Sequence, residues 1–417
     1  MLQLNTNPQV NLLRSNKNIF WMFIGMLISR LGDGIYSVTL IAAAYGITKS
    51  GSGTGIVLAS FAIANFIFGS VSGIFSDKIN RKKLIIWSSF ICGCIIVLMS
   101  IFSYANMLNI FMLSTLSFLL GGATQFFEPT VNAVIPSLVK NEELTVANST
   151  IGMTESIGYL AGPALGGILL SFLSLETVLI INASTFIVAM VTGMFLNVNT
   201  EQTKKDGNTK FINEVFLGFK FVINNKTIRN LFLVSSVGLL AYSPFFVILP
   251  VFLDKNLTIS IENQSSIIGF IYSALALGQL LGYSAIVYLK LKPYQYLLLS
   301  YFIQALGFGL ISLYTSQYLI VTSIFFCGFA FGICASSFNS LLQKSTPNYL
   351  LGRVYGVNYT LSGVISPLGR SASGILSDFI GGRVIFVLMG ALYAISAVLS
   401  MSLKCDEEKD TKLYEGK

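Results

Sequence analysis

Apolar segments that are long enough to cross a lipid bilayer recur along the whole chain. Each covers about 18 to 25 residues, the length that a helix needs to span the hydrocarbon core. No water is available there to satisfy backbone N–H and C=O groups, so each segment is predicted to be a helix. We predict twelve such helices: Ile19–Ala44, Thr54–Ile74, Leu84–Ser103, Ile110–Phe127, Ile151–Leu173, Thr177–Leu196, Leu231–Phe252, Ile267–Leu289, Tyr296–Leu313, Tyr318–Leu342, Val354–Leu376 and Val384–Leu403.

The composition agrees with a multi-pass membrane protein. Of the 417 residues, 54% are hydrophobic and only 11% are charged, whereas soluble domains carry about 25% charged residues. The first segment is too long for a signal peptide, and no small-residue cleavage site follows it, so we expect it to be retained. The fold class predicted from these features is an all-α membrane protein.

The distribution of Lys and Arg predicts the orientation of the chain in the membrane. Of the 26 such residues, Lys49, Lys255 and Arg383 fall on one side, and Arg30 and Arg370 lie within predicted helices; the others lie on the same side as both termini. Because basic loops stay in the cytoplasm, both termini are predicted to be cytoplasmic. The net charge of +8 then reflects insertion and contact with membrane lipid, and we expect no nucleic-acid partner.

The residue types that are present exclude several kinds of chemistry. The chain has no His, which removes Cys/His zinc sites and His proton relays. Its five Cys are expected to pack as soft apolar side chains, without a structural disulfide. No nucleophile and base, and no group of metal ligands, stand at a recognisable spacing. The sequence therefore predicts no enzyme, no cofactor and no metal site.

The chain divides into two halves around its longest polar stretch. Residues 1–196 and 231–403 are each predicted to form a six-helix bundle, with a cytoplasmic linker at 197–230 and a cytoplasmic tail at 404–417. Weak similarity between the fourth and tenth segments indicates a parallel repeat, which places a substrate cavity between the halves. Apolar residues at helical spacing in the linker are typical of a helix on the membrane surface. A plain linker with one apolar face explains them equally well.

A charged turn between the second and third segments carries the most specific motif. Gly73, Asp77, Lys78, Arg81 and Lys82 stand there in the order Gly-x-x-x-Asp-Lys-x-Asn-Arg-Lys. This order resembles the signature between helices 2 and 3 of the major facilitator superfamily, a family of solute transporters. The resemblance implies a twelve-helix fold built from two six-helix bundles.

The same resemblance implies that these five residues form a cytoplasmic gate. In the family, the acid docks against the cytoplasmic end of a second-half helix. The segment that starts near Arg353 offers a helix N-terminus, whose dipole favours a carboxylate. Asn80 stands where the family has Gly and is expected to adopt a similar left-handed turn. The alternative is that the basic cluster is ordinary anchoring on the cytoplasmic side.

The fifth segment carries small residues around a proline. Gly158, Gly162, Pro163, Gly166 and Gly167 match the pattern Gly-x-x-x-Gly-Pro-x-x-Gly-Gly, which resembles a signature that the superfamily concentrates in exporters and antiporters. Small residues permit close helix contact, and a proline frees a carbonyl and bends a helix. We therefore predict a helix-bending element of an exporter, with tight packing alone as the alternative.

A further stretch narrows the resemblance to one branch of the superfamily. Residues 127–149, which begin Phe127-Glu128-Pro129, look like the branch that contains macrolide-efflux proteins and the enterobactin exporter. This branch implies a multi-pass protein of a bacterial-type plasma (inner) membrane. Many exporters carry an Arg on the fourth helix about where Leu120 stands here. The details of proton coupling are therefore not carried over from the family.

Ionisable residues inside predicted helices are the candidate site, because charges within a membrane usually face a cavity or a partner. Asp33, Glu128 and Glu155 are predicted to couple proton or substrate movement, since carboxylates with a perturbed environment are typical of such sites. Arg30 lies one turn before Asp33, and a pair between them would instead be structural. The residues predicted to line the substrate cavity are Arg30, Arg370, Phe127, Tyr242, Asn339 and Tyr359.

These features together predict a proton-coupled secondary exporter that works by alternating access. We expect a monomer whose partners are protons, membrane lipid and an amphipathic small molecule of drug or antibiotic type. Export of an anionic or zwitterionic metallophore, such as a siderophore, is the alternative that an unpaired Arg370 would favour. An uptake permease is a weaker alternative, because the signature on the fifth segment is typical of exporters. A signalling protein that has lost transport is weaker still.

Overall fold

The computed structural model describes residues 7–48, 51–198, 211–256, 261–313 and 316–403, which form helices joined by short turns without any strand. The helices are α1 (Pro8–Ser15), α2 (Lys17–Thr48), α3 (Gly51–Lys78), α4 (Arg81–Tyr104), α5 (Ile110–Leu138), α6 (Leu144–Phe172), α7 (Leu175–Met194), α8 (Phe211–Asn224), α9 (Lys226–Tyr242), α10 (Phe245–Asn256), α11 (Ile261–Ala285), α12 (Pro293–Ile311), α13 (Gln317–Ser345) and α14 (Leu351–Ser400). The all-α prediction is confirmed.

Most of these helices are long and apolar enough to cross a membrane. In the described ranges nine spans meet this requirement, and a tenth does if the two arms of α3, which bend by 44°, count as one. α9 and the start of α10 together make one of these spans. α6 and the first part of α14 are not among them, although both are long. Both are rich in Gly and Ser, and such residues lower hydropathy while favouring helix contact.

Short polar turns end several helices, and Asn and Ser side chains cap the next one. The Lys83 N–H donates to Oδ1 of Asn80 at 3.2 Å, which makes Asn80 the N-cap of α4. Its φ of −54° and ψ of 115° correct the expected left-handed turn. Asn is favoured at this position because its side-chain oxygen satisfies an unpaired N–H of the first helical turn.

α14 contains one break, at Gly381. Its φ of 79° and ψ of 156° interrupt the helix between 351–380 and 382–400. Only Gly adopts such a conformation readily, because a side chain would clash with the backbone. The predicted eleventh and twelfth segments are therefore two helices that meet at Gly381.

The chain forms two compact units. The first is built from Met1–Phe219 with Pro347–Thr360, and the second from Lys220–Thr346 with Leu361–Lys417. In the first unit α2 packs on α6 and α7, α3 on α5, and α4 on α5 and α7; in the second, α11 and α12 pack on α13. The start of α14 thus packs with the first unit. The predicted tail at 404–417 and the linker residues 199–210 lie outside the described residues.

α8 occupies the second half of the predicted linker. Val222 is buried, whereas Leu217 and Ile223 are exposed. The backbone of Gly218 lies against that of Arg353, since a Cβ added to Gly218 would stand 3.1 Å from the Arg353 carbonyl oxygen. The linker helix therefore contacts the start of α14.

Candidate substrate cavity and gate

The first unit contains a cavity of about 450 Å³ between α2, α3, α4, α5, α6 and α7. Arg30, Asp33 and Glu128 contribute its charged side chains, and Phe127 lies in the same wall. The rest of the wall combines polar residues with aliphatic and aromatic ones: Ser29, Tyr36, Ser37, Leu40, Ile41, Leu58, Phe61, Asn65, Ser89, Cys92, Leu120, Thr124, Gln125, Tyr159 and Phe186. A wall of this kind accommodates an apolar body and offers a few polar contacts.

The ion pair in the cavity joins α2 to α5. The Arg30 guanidinium lies 2.7 Å from a carboxylate oxygen of Glu128, and the two side chains are 26% and 22% exposed. Spacing along α2 made Asp33 a possible partner of Arg30. The ion pair in the structure joins Arg30 to Glu128 instead. A partner from another helix replaces the neighbour on the same helix, because packing brings α5 to the guanidinium.

Two further carboxylates lie near the same guanidinium. The charges of Asp33 and Glu155, as well as that of Glu128, act on Arg30. In the described part of the chain, Asp33 has neither a hydrogen bond nor an ion pair of its own, although it is half-buried in the cavity wall. One cation thus faces three acids, and Glu128 makes the direct contact.

The small residues of α6 form the seam on which α2 packs. A Cβ added to Gly158 would meet the Arg30 backbone, and one added to Gly166 would stand 3.0 Å from the Cα of Ile35. At Gly162 the added atom would stand 2.7 Å from the Cα of Gly34. The seam therefore fixes the height and rotation of the helix that carries Arg30 and Asp33. α6 remains helical through Pro163.

We expect Gly162→Leu to lower the thermal unfolding midpoint of the detergent-purified protein. The added side chain meets backbone that has no room to yield, and overpacking of this kind costs about 1–3 kcal/mol or more. Gly167→Leu is the matched control, because a Cβ at Gly167 meets no atom within 4 Å. Equal midpoints for the two variants would contradict a packing role for the seam.

The acid of the predicted gate contacts the start of α14. The side chain of Asp77 is 1% exposed and accepts the backbone N–H groups of Gly352 and Arg353 at 2.9 and 3.0 Å, one on each carboxylate oxygen. Nε of Arg353 lies 3.8 Å away. Gly73 allows this approach, since a Cβ there would stand 2.3 Å from the Gly352 carbonyl oxygen.

Arg81 ties the same turn to three backbone carbonyls. Its guanidinium donates to Ser76 at 3.3 Å, to Ala133 at 2.6 Å and to Asn348 at 2.5 Å. It also lies 3.5 Å from Asp77. The motif indicated that Arg81 belongs to the gate but did not indicate these carbonyls. Lys82 is half-buried, and the side chain of Lys78 lies outside the described residues.

The other residues predicted to line the substrate cavity lie at different places. Tyr359 belongs to the first unit and accepts the side-chain N–H of Asn132 on its hydroxyl at 3.0 Å. Asn339 lies on α13 in the second unit. Sequence reasoning did not select Asn65 and Gln125, polar residues of apolar helices that also line the cavity in the first unit. Their isolation among apolar residues is the signal that identifies them.

Arg370 and Tyr242 belong to an aromatic cluster in the second unit. The guanidinium of Arg370 lies over the ring of Phe246 at 5.4 Å. Phe246 contacts the rings of Tyr242 and Tyr272 at 5.4 and 5.8 Å between centroids. The cluster brings together side chains of α9, α10, α11 and α14.

Comparison with known proteins agrees with this architecture. Macrolide efflux protein A of Streptococcus pyogenes is 23% identical over 392 residues, which cover 91% of this chain and 94% of that protein. The multi-drug resistance efflux pump PmrA of Streptococcus pneumoniae is 25% identical over 386 residues, or 91% and 90% of the two chains. Among solved structures, the human organic anion transporter MFSD10 (TETRAN) superposes with a TM-score of 0.77 at 16% identity and covers 92% of this chain and 98% of its own.

The family assignment rests on most of the chain. The model of the Major Facilitator Superfamily matches residues 22–370, a range that includes the cavity in the first unit, the Asp77 contact and Arg370. Its members are multi-pass membrane transporters of small molecules and not enzymes. With helices of this length and order and a match of this extent, the chain belongs to the Major Facilitator Superfamily.

Proposed function

We propose that this protein exports an amphipathic small molecule from the cytoplasm, driven by the entry of protons. The observation that carries the proposal is the cluster of one guanidinium and three carboxylates around the cavity in the first unit. The similarity of the chain to efflux proteins supports export as the direction of transport. We propose in addition that the protein lies in a bacterial plasma membrane, as a monomer with both termini in the cytoplasm.

The charge balance of the cluster accounts for proton coupling. Arg30 supplies one positive charge, and Asp33, Glu128 and Glu155 supply three negative charges when all are ionised. Two protons would therefore make the cluster neutral. We propose that the acids left without a counter-charge exchange protons for substrate during the transport cycle. Asp33 is the assigned carrier, since Arg30 contacts Glu128 directly.

Alternating access requires a gate as well as a substrate cavity. Asp77 holds the start of α14 through two backbone N–H groups, and charge-assisted bonds of this kind are strong enough to hold one state and weak enough to release it. Gly73, Lys78, Arg81 and Lys82 belong to this proposed gate. Gly158, Gly162, Pro163, Gly166 and Gly167 are proposed to form the helix-bending element of the exporter.

The proposal is tested by flux into vesicles with an imposed pH gradient. Purified protein is reconstituted in both orientations, and accumulation of a fluorescent lipophilic cation and of a macrolide is followed with and without an ionophore that collapses the gradient. We expect accumulation only where substrate moves against the direction of proton flow. Substrate that moves in the same direction as protons would contradict export and favour an uptake permease. Flux that is unchanged by the ionophore would contradict proton coupling.

A second candidate function is export of an anionic or zwitterionic metallophore. Arg370 favours it, because its guanidinium has no carboxylate partner in the described ranges and lies beside aromatic rings. Tyr242 and Arg370 would contact such a substrate. An anionic siderophore tested in the same vesicles distinguishes this function, since it should then be accumulated in place of the lipophilic cation.

A further inference from the structure

The geometry around Arg370 points to a binding site for an amphipathic anion within the second unit, formed by Arg370, Phe246, Tyr242 and Tyr272. The ligand has a single oxyanion, as a carboxylate, sulfonate or phosphate, attached to a flat apolar body. The inference rests on the proposed function in one respect: it names a class of substrate for the proposed exporter. Binding of a ligand at this site can be measured without transport.

The first step is the depth of Arg370 in its helix. Arg370 lies eleven residues before the break at Gly381, which is about 16 Å at 1.5 Å per residue. Arg370 also lies within the predicted eleventh segment, Val354–Leu376. A charge within such a segment is costly, and its side chain usually faces a cavity or a partner.

The second step is the direction of the side chain. The guanidinium lies over the ring of Phe246 at 5.4 Å, and its charge also reaches Tyr272. Phe246 and Tyr272 belong to α10 and α11, so Arg370 points toward other helices of its own unit. A cation over an aromatic face is attracted by the negative face of the ring, which offsets only part of the cost of a charge within a membrane segment.

The third step is the missing counter-charge. In the described part of the chain, no carboxylate pairs with Arg370, and its side chain is exposed. The second Arg within a predicted helix, Arg30, pairs with Glu128 at 2.7 Å. Arg370 thus keeps a guanidinium whose planar donors match an oxyanion.

The fourth step is the platform for the apolar body. The rings of Tyr242, Phe246 and Tyr272 are each half-buried, so every ring is partly packed and partly open. Tyr242 and Phe246 meet edge to face at 5.4 Å. Flat apolar groups pack favourably on such rings, and the Tyr hydroxyls add hydrogen bonds.

The backbone explains how this cluster is assembled. Pro244 has no N–H, so the carbonyl of Leu240 lacks its helical donor and accepts the Ser243 hydroxyl at 3.2 Å instead. The helix is interrupted here, between α9 and α10. Gly369 lets α14 approach the break, since a Cβ at Gly369 would stand against the Ser243 hydroxyl. Arg370, the next residue, is thereby set beside Phe246.

The test uses three probes that share one ring system and differ in charge: 2-naphthaleneacetate, 2-naphthaleneethanol and 2-naphthylmethylammonium. Their affinities are measured by equilibrium dialysis against the full-length protein in nanodiscs of phosphatidylcholine. We expect the wild type to bind the anion at least tenfold more tightly than the neutral probe. Arg370→Gln should remove this preference, and Arg370→Lys should keep part of it.

Arg383→Gln is the matched control, because Arg383 is also an exposed Arg of α14 but lies beyond the break at Gly381. It should change the preference for the anion by less than twofold. If Arg370→Gln does not fold, the comparison of the three probes on the wild type still decides the matter. Equal wild-type affinity for the anion and the neutral probe would overturn the site, as would an unchanged preference in Arg370→Gln.

A lipid headgroup offers the same chemistry as a soluble anion, so the measurement is repeated in nanodiscs that contain phosphatidylglycerol. Retained binding of naphthaleneacetate there supports a substrate site. Binding of phosphatidylglycerol alone, without any preference for naphthaleneacetate in phosphatidylcholine, would overturn it in favour of a lipid site. Failure of the proposed function is distinguishable, since absent proton-driven flux with intact anion binding contradicts transport and leaves the site standing.

Discussion

Asn in place of Asp33 is expected to reduce flux driven by a pH gradient to the level of protein-free vesicles. The amide has the shape of the carboxyl group but carries no titratable proton, and Asp33 is the acid of the cavity without an ion pair or hydrogen bond in the described part of the chain. Exchange of labelled for unlabelled substrate at equal pH should persist, because it needs no net proton release. The measurement compares gradient-driven accumulation with such exchange in the same proteoliposomes.

Glu142→Gln is the matched control for this variant. It removes one carboxylate of similar size from an exposed position before α6 and should leave both activities within twofold of the wild type. Asp33→Asn with full gradient-driven accumulation would contradict the role of Asp33 as proton carrier and would direct attention to Glu128 or Glu155. Loss of both accumulation and exchange would contradict a role confined to the proton.

The sequence predicted the fold because the bilayer imposes strong constraints on length and composition. The length of an apolar run, however, indicates only the part of a helix that lies in lipid. The fourth segment is predicted as Ile110–Phe127, whereas α5 runs from Ile110 to Leu138 through two prolines. The break between α9 and α10 was not predicted, although Pro244 inside an apolar run was the available signal.

The candidate site was less predictable, because its contacts join residues that are far apart in the chain. Spacing along one helix offered Asp33 as the partner of Arg30, and the observed partner is Glu128 on α5. The dock at α14 was named from a family resemblance, and its geometry depends on Gly73 and Gly352, which let two backbones approach. Local patterns identify which residues carry charge, but packing decides which charges meet.

Asn in place of Asp77 is expected to release the start of α14 and to speed hydrogen exchange there. The Asp77 carboxylate offers two acceptors to the N–H groups of Gly352 and Arg353, whereas an amide offers one acceptor and turns a donor toward the other N–H. Hydrogen bonds to a charged group contribute about 1.5–3 kcal/mol each. Exchange at these two amides should therefore rise by about tenfold or more if it proceeds through local opening.

Mass spectrometry of peptides that cover residues 347–360 measures this exchange in the detergent-purified protein. Lys83→Gln is the matched control, because Lys83 belongs to the same turn and is exposed; it should leave exchange at these amides unchanged. Flux should fall in Asp77→Asn and remain in Lys83→Gln, since only the first loses the contact that holds α14. Wild-type exchange in a folded Asp77→Asn protein would show that Arg81 and close backbone packing hold α14 without the acid, and Asp77 would then have no part in gating.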